Sequence, residues 1–107
     1  MKPPRTSPAA VPRRENRIRM EIPVILHGHL QVPGVESTFT ENVSAKGARV
    51  VSVRRWEKDS QLVLASRSGE FRSAARVAYC QPVRGDGYVI GLEFLEPIGR
   101  WVVESAN

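Results

Sequence analysis

A single cysteine, Cys80, stands among the 107 residues. No disulfide can form within the chain, and no cysteine-based zinc site can be completed by it. Long hydrophobic runs are missing too. The longest are four residues, at Leu62–Ala65 and Val77–Cys80, against the ~20 that a membrane-spanning helix requires. The basic N-terminus is followed by no apolar stretch of the kind a secretory signal carries, so a cytoplasmic protein is expected, in agreement with the cysteine usage. Histidine is scarce: His27 and His29 are the only two, which leaves a Ser/His/Asp arrangement nothing else to draw on. The pair sits at i and i+2 on one strand face, where a metal would need a third ligand from elsewhere; a polar outer strand face is the simpler account, and no metal site is expected. Aromatics are also few, with two Trp, two Tyr and three Phe. What is present is ordinary for a globular chain, 41% hydrophobic and 25% charged, and the length suits one domain with at most a tail.

The net charge of +5 is unevenly placed. Residues 1–19 hold Lys2, Arg5, Arg13, Arg14, Arg17 and Arg19 against Glu15 alone, and the remainder is neutral. Pro3, Pro4, Pro8 and Pro12, half of the chain's prolines, lie in the same stretch, where they withhold backbone donors and favour an extended chain. The expectation is a flexible, Pro-rich basic tail over residues 1–12 and an arm leading into a domain over 13–107. A basic arm on a neutral body fits an anionic partner such as a nucleotide, nucleic acid, lipid headgroups or an acidic protein surface. Charge alone fits a solubilising terminus equally well.

From Glu21 the pattern alternates with period two and is rich in β-branched residues. Ile22, Val24 and Leu26 share one strand face, with Ile25, His27 and His29 on the other, and Pro33-Gly34 turns the chain. Further strands are predicted at 37–41, 48–53, 61–65, 71–79 and 88–94, separated by turns at Arg67-Ser68-Gly69 and Arg84-Gly85-Asp86-Gly87. Six short strands without an internal helix imply an all-β protein, a small antiparallel barrel or sandwich. The stretch from Pro97, with Trp101, Val102 and Val103, is expected to form a helical turn over a barrel opening.

Catalytic groupings are hard to assemble, and an enzyme is not expected. Gly85, Gly87 and Gly91 are wrongly spaced for a dinucleotide fingerprint and precede a strand where a helix is required. Arg84-Gly85-Asp86 and Asn42-Val43-Ser44 match an adhesion tripeptide and a glycosylation sequon, both short enough to arise by chance. Two polar features remain. Arg13-Arg14-Glu15-Asn16-Arg17 precedes a strand running from Ile18 to Leu26, and guanidinium groups four residues apart on an extended arm can grip one phosphate- or guanine-bearing ligand from two sides. Asn42-Val43-Ser44-Ala45-Lys46-Gly47 precedes the 48–53 strand, with an amide and a hydroxyl as donors and acceptors and a glycine able to turn at positive φ. Taken singly, each has a plain alternative: a solubilising basic cluster, and an Asx-type turn closing a hairpin.

In combination, Arg13-x-x-x-Arg17, then Asn42-x-Ser44-x-x-Gly47, the phrase RIRMEIPV at 17–24 and the phrase YVIGLEFLEP at 88–97 resemble a PilZ domain, the bacterial receptor module for cyclic di-GMP. The resemblance spans about residues 13–97 and implies a six-stranded antiparallel β-barrel with its arm folding over the ligand. It implies that Arg13 and Arg17 take guanine edges and phosphates, that Asn42 and Ser44 bind the guanine edge and phosphate oxygens from the barrel, and that Gly47 shapes the turn, with Arg14 as an additional contact. Asn42 stands where Asp is commoner, removing a negative acceptor for the guanine N1 and N2 donors.

The implied function is a cyclic di-GMP receptor that orders its arm on binding and signals to a protein partner in motility, biofilm or polysaccharide control, with no other cofactor and no DNA partner. The rival readings are a PilZ-like adaptor that binds no nucleotide, and a small barrel binding single-stranded nucleic acid, disfavoured by the few aromatics and the absence of an evident aromatic pair on the strands.

Overall fold

A computed structural model describes residues 16–28 and 34–103. Eight strands run through them: β1 (Ile18–Arg19), β2 (Pro23–His27), β3 (Val35–Ser44), β4 (Gly47–Ser52), β5 (Gln61–Ser66), β6 (Phe71–Pro82), β7 (Tyr88–Phe94) and β8 (Ile98–Gly99). All pairings are antiparallel, in the order β3-β2-β5-β6-β7-β4, and β4 pairs back onto β3 to close a six-stranded barrel. Closure leaves these strands without a free edge. No helix occurs among the described residues, and therefore none long and apolar enough to cross a membrane.

The alternation read from the sequence is the alternation of the barrel. Val24 and Leu26 of β2, Val50 of β4, Leu62 and Leu64 of β5, Ala75 and Val77 of β6 and Ile90 and Leu92 of β7 point inward to one core. Pro23 and His27 face out; His29 lies outside the described residues. The two tryptophans close the two ends. At the β4 C-terminal end Trp56 is buried and its indole N–H donates to Ser52 Oγ at 3.1 Å. At the other end Trp101 is buried against Phe71 and Phe94, with ring centroids 4.6 and 5.2 Å away, and its indole N–H donates to the Ser44 carbonyl at 2.9 Å.

Two expectations need correction. The strand expected from Ile18 to Leu26 is broken. Arg19 pairs with Asn42 and Pro23 with Phe39, so three residues on one strand face two on the other. The Thr40 hydroxyl fills the break, accepting from the Ile22 N–H at 2.9 Å and donating to the Met20 carbonyl at 2.6 Å. The helical turn expected from Pro97 is a strap in extended conformation. Ile98 and Gly99 pair with Arg72 and Phe71, and Gly99 sits at φ +95° where a Cβ would lie 2.1 Å from the Glu70 carbonyl oxygen. A helix would withdraw these ladder bonds and move Trp101 off the barrel end it covers.

Candidate functional site

Two bulges decide which side chains the barrel presents. In β3 the register shifts between Thr40 and Asn42; Glu41 is the extra residue, so buried Thr40 is followed by an outward Asn42 rather than an inward one. In β6 it shifts between Val77 and Tyr79; Ala78 is extra, and Tyr79 turns outward opposite Gly91. Bulges re-aim side chains in this way beside functional sites. The result is a continuous cross-strand row on the outer face, Arg19–Asn42–Arg49–Gly91–Tyr79, carried by β1, β3, β4, β7 and β6.

Arg17 enters this row from the arm. Its guanidinium Nη1 donates to Asn42 Oδ1 at 2.9 Å across a sequence separation of 25 residues. A pocket of about 210 Å³ is lined by Arg17, Lys46, Gly47, Arg76, Ala78, Tyr79, Gly91, Leu92 and Glu93, and a neighbouring one of about 310 Å³ by Arg19, Glu21, Glu41 and Asn42. Gly91 makes room for this arrangement: a Cβ there would fall 2.2 Å from the Tyr79 ring. Tyr79 in turn is anchored through its hydroxyl, which accepts from Arg49 Nη1 at 3.0 Å.

The cations of the site divide by how fully they are already paired. Arg49 donates Nε to Glu41 at 2.9 Å, and this hydrogen bond, opposed by desolvation and aided by Tyr79, raises its pKa. Arg76 is held by Glu93 and Asp59, which raise its pKa likewise. Arg76 is a fixed part of the pocket wall, and Arg49 holds the Tyr79 hydroxyl beside it. Arg17, Arg19 and Lys46 have no carboxylate partner among the described residues, so these three offer charge to an anion without first breaking an ion pair.

The hairpin Ser44-Ala45-Lys46-Gly47 joins β3 to β4 through a two-residue loop. Ser44 is fully buried, and its hydroxyl accepts from the Lys46 N–H at 3.3 Å and lies 3.5 Å from the Gly47 carbonyl as donor. These bonds help to close the turn. Gly47 is required for a different reason than the sequence suggested. Its φ is not positive; instead, a Cβ would sit 2.2 Å from the Leu92 carbonyl oxygen, so glycine lets β4 approach β7 closely. Of the residues singled out in the sequence, Arg17 and Asn42 are brought into contact, and Ser44 and Gly47 form the adjoining turn. Arg13 and Arg14 lie outside the described residues.

This arrangement joins an arm arginine to the Asn of a hairpin motif on a closed six-stranded barrel, and the PilZ domain family matches over residues 12–100. The chain belongs to the PilZ domain family. Among solved structures the PilZ domain is similar to the inhibitor of motility MotI/DgrA of Bacillus subtilis, with a TM-score of 0.67 and 20% identity, covering 80% of this chain and 44% of that one. At that identity the likeness is one of fold, and this chain spans less than half of that protein's length. Comparison with curated protein sequences gives no match. PilZ domains form a cyclic di-GMP receptor family of regulatory binding domains rather than enzymes.

The sequence reading missed Tyr79, Arg49, Arg76 and Lys46. Gly91 inside a strand was the available signal, since glycine there marks a close approach. It also missed that aromatics do cluster. Phe71, Phe94 and Trp101 pack in tilted and edge-to-face contacts with centroids 4.6 to 5.2 Å apart, but all three are buried, so they are no platform for nucleic-acid bases. Among the described residues no three His, Cys, Asp or Glu side chains group as a metal site.

Proposed function

We propose that this PilZ domain is a cytoplasmic cyclic di-GMP receptor, built from residues 13–107 with 1–12 as a tail, which closes its arm over the ligand and presents the new surface to a protein partner. The observation that carries this reading is the Arg17–Asn42 hydrogen bond, which brings the arm's guanidinium and the barrel's amide to one point beside a pocket where Arg17 and Lys46 have no carboxylate partner among the described residues. Cyclic di-GMP offers two phosphate charges and two guanines. Arg17 retains further N–H donors after serving Asn42, enough to reach a phosphate or the guanine O6 and N7 acceptors. The Asn42 amide group supplies donors to a guanine edge, and Lys46 adds charge from the turn.

In this reading Arg13 grips the ligand from the opposite side of the arm, with Arg14 as an additional contact. Ser44 and Gly47 act by fixing the turn, and Tyr79 offers a ring beside the base. Ordering the arm costs chain entropy that the phosphate and guanine contacts offset.

Titration calorimetry on variants tests the proposal. Arg17→Ala and Asn42→Ala are each expected to weaken cyclic di-GMP binding by about 1–3 kcal/mol, roughly tenfold to a hundredfold. Unchanged affinity in Arg17→Ala would remove the arm from the mechanism.

A further inference from the structure

A second cavity, of about 640 Å³, opens at the barrel end covered by the strap, on the far side of the Lys46 turn from the nucleotide pocket. Its apolar wall is Phe71, Phe94, Trp101, Pro97 and Val103, with the Ala45–Lys46 loop and Arg100 at its edge. The volume falls within the ~300–1,000 Å³ of small-molecule sites. Phe71, Phe94 and Trp101 are each only 3 to 9% exposed, and the narrow edge they leave toward the cavity forgoes dispersion contacts that a filling group would restore.

Three charged side chains line it, and they are not equivalent. Glu93 shares Arg76 with Asp59, with 2.9 Å between the Glu93 carboxylate and the guanidinium. Lys46 and Arg100 have no carboxylate partner among the described residues. The cavity therefore combines an apolar wall with two cations that no carboxylate among the described residues pairs, against the one carboxylate of Glu93. The strap is fixed rather than draped: the Arg100 N–H donates to the Glu70 carbonyl at 2.7 Å, β8 pairs with β6, and Trp101 is tied to Ser44.

We propose that this cavity binds one molecule of an amphipathic anion, a carboxylate on an aliphatic or aromatic body, with the body against Phe71, Phe94 and Trp101 and the carboxylate between Lys46 and Arg100. The site is separate from the nucleotide pocket and does not depend on the cyclic di-GMP reading. It shares Lys46 and Glu93 with that pocket, so occupancy of one alters the wall of the other.

The probe is decanoate, titrated calorimetrically into the whole chain below its micelle-forming concentration, with decyltrimethylammonium as the cationic counterpart of equal chain length. Saturable one-to-one binding of decanoate, and at least about tenfold weaker binding of the cation, is expected from the loss of charge-assisted contacts. Arg100→Gln should weaken decanoate by about tenfold without weakening the cation, whose repulsion it relieves. Val103→Trp, which fills the cavity from its exposed side, should abolish decanoate binding in a protein whose thermal midpoint is retained. Equal binding of both amphiphiles, decanoate binding indifferent to both variants, or no binding to the folded chain would each overturn the proposal. So would attachment to phosphatidylglycerol vesicles without binding of free decanoate, since that is recognition of a lipid surface.

Discussion

At the scale of single residues, two glycines define the site by what they exclude. Gly47→Ala would drive a methyl into the Leu92 carbonyl. Because the obstacle is backbone, β4 and β7 must part, and a loss of about 1–3 kcal/mol is expected, visible as a lower midpoint in urea unfolding. Gly91→Ala meets the Tyr79 ring instead, a side chain that can rotate away. Stability should change less, while Tyr79 loses the hydroxyl contact with Arg49, a change readable in its near-ultraviolet circular dichroism. The need for glycine at 47 was legible in the sequence but its cause was not, since a hairpin motif suggests positive φ and only the register shows the neighbouring strand's carbonyl beside it. Arg17 and Asn42 were legible because their residue types carry the chemistry. Tyr79 was not, because one aromatic in a β-rich stretch resembles a core residue until a bulge turns it outward.

At the scale of elements, strands were readable from period-two alternation and their ends were not. β7 spans the expected 88–94, while β3 extends well beyond 37–41 on both sides and β6 runs past Tyr79 to Pro82. Bulges at Glu41 and Ala78 reset the alternation within β3 and β6, so a strict inward-outward pattern ends before the strand does. The strap was misread for a related reason. Trp101, Val102 and Val103 suit a helical turn by composition, but Gly99 at positive φ and the pairing with β6 hold the chain extended. Trp101→Ala should cost about 3–5 kcal/mol through cavity formation, whereas Trp101→Phe should cost less, chiefly the hydrogen bond to Ser44 and some packing. Thermal unfolding of the two variants, compared with the parent, checks both values.

At the scale of the whole molecule, closure of the barrel brings residues from five strands into one row, and each end is sealed by a tryptophan tied to β4 or its hairpin. The turn 44–47 is where these features meet. It borders the Arg17 pocket through Lys46 and Gly47, anchors Trp101 through the Ser44 carbonyl, and holds β7 through the Lys46 carbonyl, which accepts from the Phe94 N–H at 2.9 Å. A ligand engaging Lys46 and Asn42 therefore acts on a turn that the strap also grips. This whole-molecule link was not legible in the sequence, because Ser44 and Trp101 lie 57 residues apart and no local pattern joins them.

The proposed function turns on cyclic di-GMP being held between the arm and the Asn42 row of the PilZ barrel. Calorimetric titration of the whole chain with cyclic di-GMP, with GTP and cyclic di-AMP as controls at one stated salt concentration, tests it most directly. Selective, saturable binding of cyclic di-GMP is expected, with a stoichiometry that distinguishes a single ligand from a stacked pair. No binding to a demonstrably folded protein, or equal binding of all three nucleotides, would contradict it, and the former would leave a PilZ domain that acts as a protein adaptor.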